Sequence, residues 1–260
     1  MRRLSRALPR VPATAAISLL LAIAAQAAWT IESSEAEFST GRNVEHRQIV
    51  AVSESGDRAT LHLALVAQKS ASLRLIDNAN GNERLRDAMQ RQQCLAGVNG
   101  GYFNPNDAPV GLLVVDGRVI SPFAKARLLS GVLANRNGRT QIYRSNEFPR
   151  GAKWSAALQC GPFLVDGGQA VPGLESTRLA RRTFVSADGD RVVLGFCTQV
   201  SLAQLAAILT TPDLKKDLKI QRTLNLDGGS SSAFWFADEG KPFSISEQKT
   251  VRDFVAIVPK

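Results

Sequence analysis

The 260-residue sequence predicts an α+β domain built mostly of antiparallel sheet from hairpins, with a few packed helices. Three observations carry that expectation. Four successive segments place an Asp-Gly or Asn-Gly pair between apolar runs, which is the strongest short-range hairpin signal. Only one stretch has a strongly helical apolar period. No linker-like composition interrupts residues 45–260, so they read as one domain.

The N-terminus reads separately from the fold. Arg2, Arg3, Arg6 and Arg10 precede an apolar run from Ala15 to Ala25 and the tripeptide Ala25-Gln26-Ala27. A basic region, a short apolar region and an A-x-A site mark a secretory signal peptide. The run falls short of the roughly 20 apolar residues that span a bilayer. Residues 1–27 are therefore expected to be cleaved after Ala27, leaving a periplasmic or secreted protein with no stable membrane anchor. Removing those four arginines from 32 basic residues leaves 28 against 23 acidic, a net charge of +5 rather than +9. That balance favours anionic partners weakly. No Lys/Arg cluster with interleaved aromatics occurs, which argues against nucleic acid.

Residues 28–44 are polar and read as a loosely held N-terminal arm. "QIVAVSES" (48–55) and "ATLHLALVA" (59–67) alternate well enough for paired strands around Gly56-Asp57. Residues 80–93 are rich in helix formers, with Leu85 and Met89 four apart, and predict a short surface helix. Leu95 to Val98 reads as a buried strand. The four hairpins follow, as "GLLVVDGRVIS" (111–121), "GVLANRNGRTQIY" (131–143), "GPFLVDGGQAV" (161–171) and "TFVSADGDRVVLGF" (183–196). Ser201 can cap "LAQLAAIL", where Leu202, Leu205, Ala206 and Leu209 share a face. "TLNL" (223–226), "SAFWF" (232–236) and "VRDFVAIVP" (251–259) supply further strands.

Cys94, Cys160 and Cys197 contain no C-x-x-C, and only His46 and His62 accompany them, so a cysteine/histidine zinc site is not expected. One disulfide plus a thiol, or three buried thiols, both fit an exported chain.

Three segments could carry chemistry. In "AGVNGGYFNPN" (96–106) a strand ends on Asn99-Gly100-Gly101, where paired glycines let a ligand approach backbone N–H groups. Asn99 and Asn104 add amides and Tyr102 a ring and phenol. In "TLNLDGGSSSAFWF" (223–236) Asp227 ends a strand before Gly228, Gly229, Ser230 and Ser231, setting one carboxylate among N–H and O–H donors. It is not a phosphate loop of the G-x-x-x-x-G-K-[ST] type. Core-like runs flank it closely, unlike a linker. In "RLARRTF" (178–184) Arg181, Arg182 and Thr183 stand at a strand, and alternation puts Arg182 with Phe184 on one face. A guanidinium matches a phosphate through two parallel hydrogen bonds. Each segment alone also fits a structural turn or a solvated edge.

Together, "NGGYF" (99–103), "LQCGPFLVDGG" (158–168), "RRTFVSADGDRVVLGF" (181–196), "SLAQLAAIL" (201–209) and "LNLDGGSSS" (224–232) resemble, in order, the phosphodiester glycosidase family. The resemblance covers about residues 45–258. It implies an α+β fold and hydrolysis of the anomeric C–O bond of a sugar-1-phosphodiester, releasing free sugar and a phosphomonoester. The matching positions are Asn99, Gly100, Gly101, Tyr102, Arg182, Thr183, Asn225, Asp227, Gly228, Gly229, Ser231 and Ser232. Ser230 stands where the family usually has a third glycine, and Phe184 where it has a small residue, which bears on substrate identity. On this reading Asp227, Arg182 and Asn99 are catalytic. Arg182, Thr183, Ser230 and Ser231 face the phosphate, Asp227 faces the anomeric centre, and Asn99 and Tyr102 hold the sugar. Glu175 and Asp107 are neighbouring carboxylates read as structural. The partner is a phosphorylated carbohydrate. No cofactor is required; a divalent cation beside Asp227 is compatible with its carboxylate, although no ligand cluster demands one. The competing readings are a noncatalytic periplasmic binder of phosphosugar or anionic polysaccharide, serving envelope or exopolysaccharide assembly, and a phosphodiesterase cutting the other P–O bond.

Overall fold

The computed structural model describes residues 28–38, 44–238 and 240–260. The expected signal peptide lies outside them. In chain order the strands are β1 (Trp29–Phe38), β2 (Val44–Ser53), β3 (Arg58–Ala67), β4 (Ala71–Asp77), β5 (Ala96–Asn99), β6 (Leu113–Val115), β7 (Arg118–Ser121), β8 (Gly131–Arg136) and β9 (Arg139–Arg144). They continue as β10 (Ala156–Cys160), β11 (Phe163–Asp166), β12 (Gln169–Ala170), β13 (Ala180–Ala187), β14 (Arg191–Val200), β15 (Thr223–Asn225), β16 (Phe234–Phe236), β17 (Phe243–Ile245) and β18 (Asp253–Pro259). The helices are α1 (Leu85–Arg91), α2 (Leu202–Leu209) and α3 (Pro212–Leu218), with a 3₁₀ turn at Gly229–Ser231. Of the described residues 47% are in strands and 11% are helical, so sheet dominates the α+β description.

The described residues form three antiparallel sheets. One has eight strands in the order β1-β2-β3-β14-β13-β15-β11-β12, and two have five, β7-β6-β10-β8-β9 and β17-β16-β5-β18-β4. All four Asx-Gly segments are hairpins. Asp116-Gly117 and Asn137-Gly138 both turn with positive φ at both residues, the geometry whose twist matches the flanking strands.

Side-chain alternation explains how the large sheet holds two cores. Along β3, Ala64 and Val66 enter the core shared with the other sheets, while Leu61, Leu63 and Leu65 enter a second core under α2 and α3. Strand β14 does the same, with Leu194 and Phe196 on one side and Val193 and Cys197 on the other. A strand covered on both faces must be apolar at nearly every position, as "LHLALV" and "VVLGFC" are.

Two expectations need correction. Residues 29–38, read as a loose arm, pair with β2 along its length, and Trp29 is buried in the core with α2. The polar exposed positions of "TIESSEAE" reflect an edge strand with one solvated face. The helix expected over residues 80–93 is confined to Leu85–Arg91; Leu85 and Met89 are buried against Trp235 and Phe254. Helix α2 forms as expected, with Ser201 and Gln204 exchanging side-chain to backbone hydrogen bonds in a capping box. All three cysteines are buried and unpaired. No helix among the described residues is long and apolar enough to cross a membrane.

Candidate active site

The predicted residues converge where strands of different sheets run out together. Strand β5 ends at Asn99 between β16 and β18, and β15 ends at Asn225 between β13 and β11. Their continuations are joined, since Asp227 N–H donates to Gly100 C=O at 3.1 Å and Asn99 Nδ2 donates to Asp227 C=O at 2.8 Å. Strand β13 closes the third side, with Leu226 N–H donating to Thr183 C=O at 2.8 Å.

Asn99 joins these pieces. Its Oδ1 accepts from Thr183 Oγ1 at 2.7 Å and from Ala233 N–H at 3.0 Å. The side chain is fully enclosed and both ends of its amide are engaged. It therefore has no hydrogen bond to offer a sugar, contrary to the expected contact role. It serves the site by fixing where Asp227 and Thr183 stand.

Tyr102 is similarly committed. Its hydroxyl donates to Gly161 C=O at 2.6 Å and accepts from Asn225 Nδ2 at 3.0 Å. Burial pushes the phenol pKa up, the nearby Asp227 charge adds to that, and the group stays protonated. What Tyr102 can present is the open part of its half-buried ring.

Asp227 is half-buried, and its Oδ1 accepts the Gly228 N–H at 2.9 Å. Burial raises its pKa, while the Ser231 hydroxyl, the Gly228 N–H and the Lys249 ammonium pull it down. After it the backbone turns at Gly229, whose φ is +65°, into the 3₁₀ turn that carries Ser230 and Ser231. Ser230 C=O is held by Gln248 N–H at 2.8 Å.

Arg182 lies across Gly228. Its Nε donates to Val200 C=O at 2.9 Å and its Nη2 to Arg178 C=O at 2.6 Å, with Glu175 Oε2 at 3.6 Å from Nη2. Among the described residues Nη1 has no hydrogen-bond partner. A side chain built at Gly228 would stand 4.0 Å from Nη1 and 3.1 Å from Arg181 C=O. Glycine there keeps a side chain from packing against the guanidinium and crowding the Arg181 carbonyl. Burial lowers the Arg182 pKa and the Glu175 carboxylate counters it; an arginine stays charged under either influence.

Buried polar atoms without partners concentrate here. Besides Ser231 Oγ, whose hydroxyl acts on Asp227, Asn225 Oδ1, Ser232 Oγ, Asp253 Oδ2 and Glu175 Oε2 are four of the nine among the described residues. Native interiors leave few such atoms, and a cluster of them suits a polar ligand. Of the larger cavities, one of about 730 Å³ lies apart, lined by Phe123, Phe148, Trp154 and neighbours, without these groups.

Sequence reading missed Asp253 and Lys249. Asp253 is buried below the glycine pair, its Oδ1 accepting Gly101 N–H at 3.0 Å and its backbone C=O accepting Gly100 N–H at 2.8 Å. Its signal was an Arg252-Asp253 pair heading an otherwise apolar strand. Lys249 is exposed, with Nζ 4.9 Å from the centre of the Phe103 ring. Asp107, the other neighbouring carboxylate, packs near Gly81 instead. Among the described residues no three His, Cys, Asp or Glu side chains converge on a point that could hold a metal ion.

Comparison with known proteins identifies the family and a shared fold. The sequence model of the phosphodiester glycosidase family matches residues 92–258. The catalytic domain of zebrafish N-acetylglucosamine-1-phosphodiester alpha-N-acetylglucosaminidase, auto-inhibited by its pro-peptide, has a similar structure, with a TM-score of 0.64 at 15% identity, covering 88% of each chain. A hypothetical protein from Synechocystis superposes with a TM-score of 0.58 at 16% identity, covering 84% of this chain and 62% of that one. At such identities the likeness is one of fold. No curated protein sequence matches the chain.

Proposed function

Because the chain belongs to the phosphodiester glycosidase family, we propose that it hydrolyses the anomeric C–O bond of a sugar-1-phosphodiester outside the cytoplasm. The observation that carries this reading is that the half-buried Asp227 carboxylate and the Arg182 guanidinium both lie within electrostatic reach of the Tyr102 hydroxyl, with Gly228 putting no side chain against the guanidinium. The substrate in the zebrafish enzyme's name is of the same bond class; the identity of sugar and aglycone does not carry over.

The chemistry needs little more than those groups. As the C1–O bond breaks, its electron pair goes to the phosphate oxygen and positive charge spreads over C1 and the ring oxygen. Arg182 Nη1 and the Ser230 and Ser231 hydroxyls stabilise the departing phosphate, while Asp227 stabilises the positive sugar and accepts the proton of the attacking water. A phosphate leaves readily, so a strong general acid is not required. Donors fixed in advance are worth most where charge develops, and losing one costs about 10²–10³ in kcat.

The test is hydrolysis of UDP-N-acetylglucosamine or another sugar-1-phosphodiester in H₂¹⁸O. Label in the sugar is the expected outcome. Label in the phosphate would mean P–O cleavage, and tight binding without turnover would mean a phosphosugar-binding protein. Asp227→Asn should fold normally and lose at least about 10²-fold in kcat; near-wild-type turnover would remove the carboxylate from the mechanism.

A further inference from the structure

Asp253 stands at the head of β18, 1% exposed, directly under the turn that carries Gly100 and Gly101. It is bound to that turn twice, through Gly101 N–H on Oδ1 and Gly100 N–H on its own C=O. Gly100 is shaped around it: a Cβ there would lie 1.8 Å from Oδ1. The second carboxylate oxygen, Oδ2, is buried and has no partner. A purely structural acceptor for one N–H would not need a carboxylate with an orphaned oxygen, since burying one costs several kcal/mol unless it is paired or protonated.

We propose that Asp253 is a second carboxylate of the site, a positioning residue that braces the Gly100-Gly101 turn and whose charge state governs how readily the site accepts an anionic phosphodiester. The proposal rests on reading Asp227 as the site's working carboxylate. The groups facing Asp253 are few. On its own strand Arg252 is paired with Asp77, the residue opposite Asp253 on β4. From β10 comes the Cys160 thiol, and from the turn after β15 comes Asp227.

Two carboxylates in one poorly solvated region do not ionise together cheaply. Asp227 ionises first, since it is more exposed, accepts Gly228 N–H and is near Lys249. Burial is the main force on Asp253 and the Asp227 charge adds to it, moving its pKa up to about 6, while Gly101 N–H and Arg252 oppose them. Below that point only one of the two carboxylates, Asp227, is charged. Above it a second charge appears and repels the phosphodiester. A coupling of one pK unit corresponds to about tenfold in affinity.

Two measurements decide the matter, and the first needs no turnover. A ¹³C carboxyl titration should show Asp253 with a midpoint near 6 that moves modestly lower in Asp227→Asn, since burial remains the main force on it. An ordinary midpoint in the wild type, or one indifferent to Asp227→Asn, would overturn the proposal even if the protein proves to be a phosphodiester glycosidase. Second, the KM for UDP-N-acetylglucosamine, or its Kd if there is no turnover, should rise about tenfold between about pH 5 and pH 8. The diphosphate has no titrating proton in that interval, and kcat should change less than KM. In Asp253→Asn that rise should vanish, whereas a rise retained in the folded variant would refute the role. If Asp253→Asn does not fold, the carboxyl titration still decides.

Discussion

At the scale of single residues, the two charged partners of the site are held very differently, and substitution should reveal it. Arg182 spends Nε and Nη2 on backbone carbonyls of Val200 and Arg178, and Nη1 has no hydrogen-bond partner among the described residues. Lysine has one nitrogen for three tasks. Arg182→Lys should therefore cut kcat/KM on a sugar-1-phosphodiester by about 10²–10³, and unchanged steady-state kinetics would take Arg182 out of the phosphate role. Gly100 tests the frame beneath. Its absent side chain is the space that Asp253 occupies, 1.8 Å from Oδ1 and 2.9 Å from the carbonyl oxygen, and backbone cannot move aside as a flexible tip would. Gly100→Ala should cost about 3 kcal/mol or more of unfolding free energy, read by urea denaturation, well beyond an ordinary surface Gly→Ala exchange. The same contact shows why Asp253 escaped sequence reading. A carboxylate recognised only through backbone N–H groups of a turn some 150 residues earlier leaves no local pattern. Asp227 was legible because its glycine-serine turn is local. Asn99 was legible as a member of the site but not in its task, because a free amide and a saturated one are spelled alike.

Elements were legible in proportion to how local their signals are. Hairpins with Asx-Gly turns, the Ser201 cap and the apolar central strands all announce themselves within a dozen residues. Helix α3 did not, because Pro212 opens a seven-residue segment with lysines at its end and only Leu214 and Leu218 buried. Strand β1 was misread for a better physical reason. An edge strand pairs on one side and needs only a few apolar anchors, and charged residues on the exposed edge discourage pairing with another chain. Its anchor is Trp29, 6% exposed and packed with α2 under the large sheet. Trp29→Ala should thus lower stability by about 3–5 kcal/mol, measured by thermal or denaturant unfolding. A loose arm would lose almost nothing. Since β1 is far along the sheet order from β15, kcat of the folded fraction should be unchanged.

For the whole molecule, the buried ionisable groups pull stability in opposite directions with pH, and the net dependence is a property of the complete fold. His46 and His62 stack in the core at 5.4 Å between ring centres, beside Phe234 and Phe243. Burial, with a smaller push from His46, lowers the His62 pKa from its ordinary 6.5 to about 4. A depressed histidine binds fewer protons folded than unfolded, so its contribution is intact above 6.5 and is lost as pH falls toward 4. Asp253 has the reverse sign. Its folded pKa is raised to about 6 from 3.8, so the folded state holds the extra proton and gains stability as pH falls through 6 toward 4. Either shift is worth of the order of 3 kcal/mol at its limit, and across about pH 4–6 they offset each other. The wild type should therefore show a shallow stability profile there by urea unfolding at stepped pH. His62→Phe, which keeps a ring among Phe196, Phe234 and Phe243, removes one of the two buried histidines whose pKa burial lowers, His46 being the other, and should lose less stability on acidification than the wild type. Asp253→Asn removes the opposing carboxyl and should lose stability more steeply than the wild type over the same range. Parallel profiles for all three proteins would mean that neither buried group titrates as its surroundings require. Departures from the wild type in opposite directions would show that acid tolerance and the charge of the site are set by the same buried carboxylate.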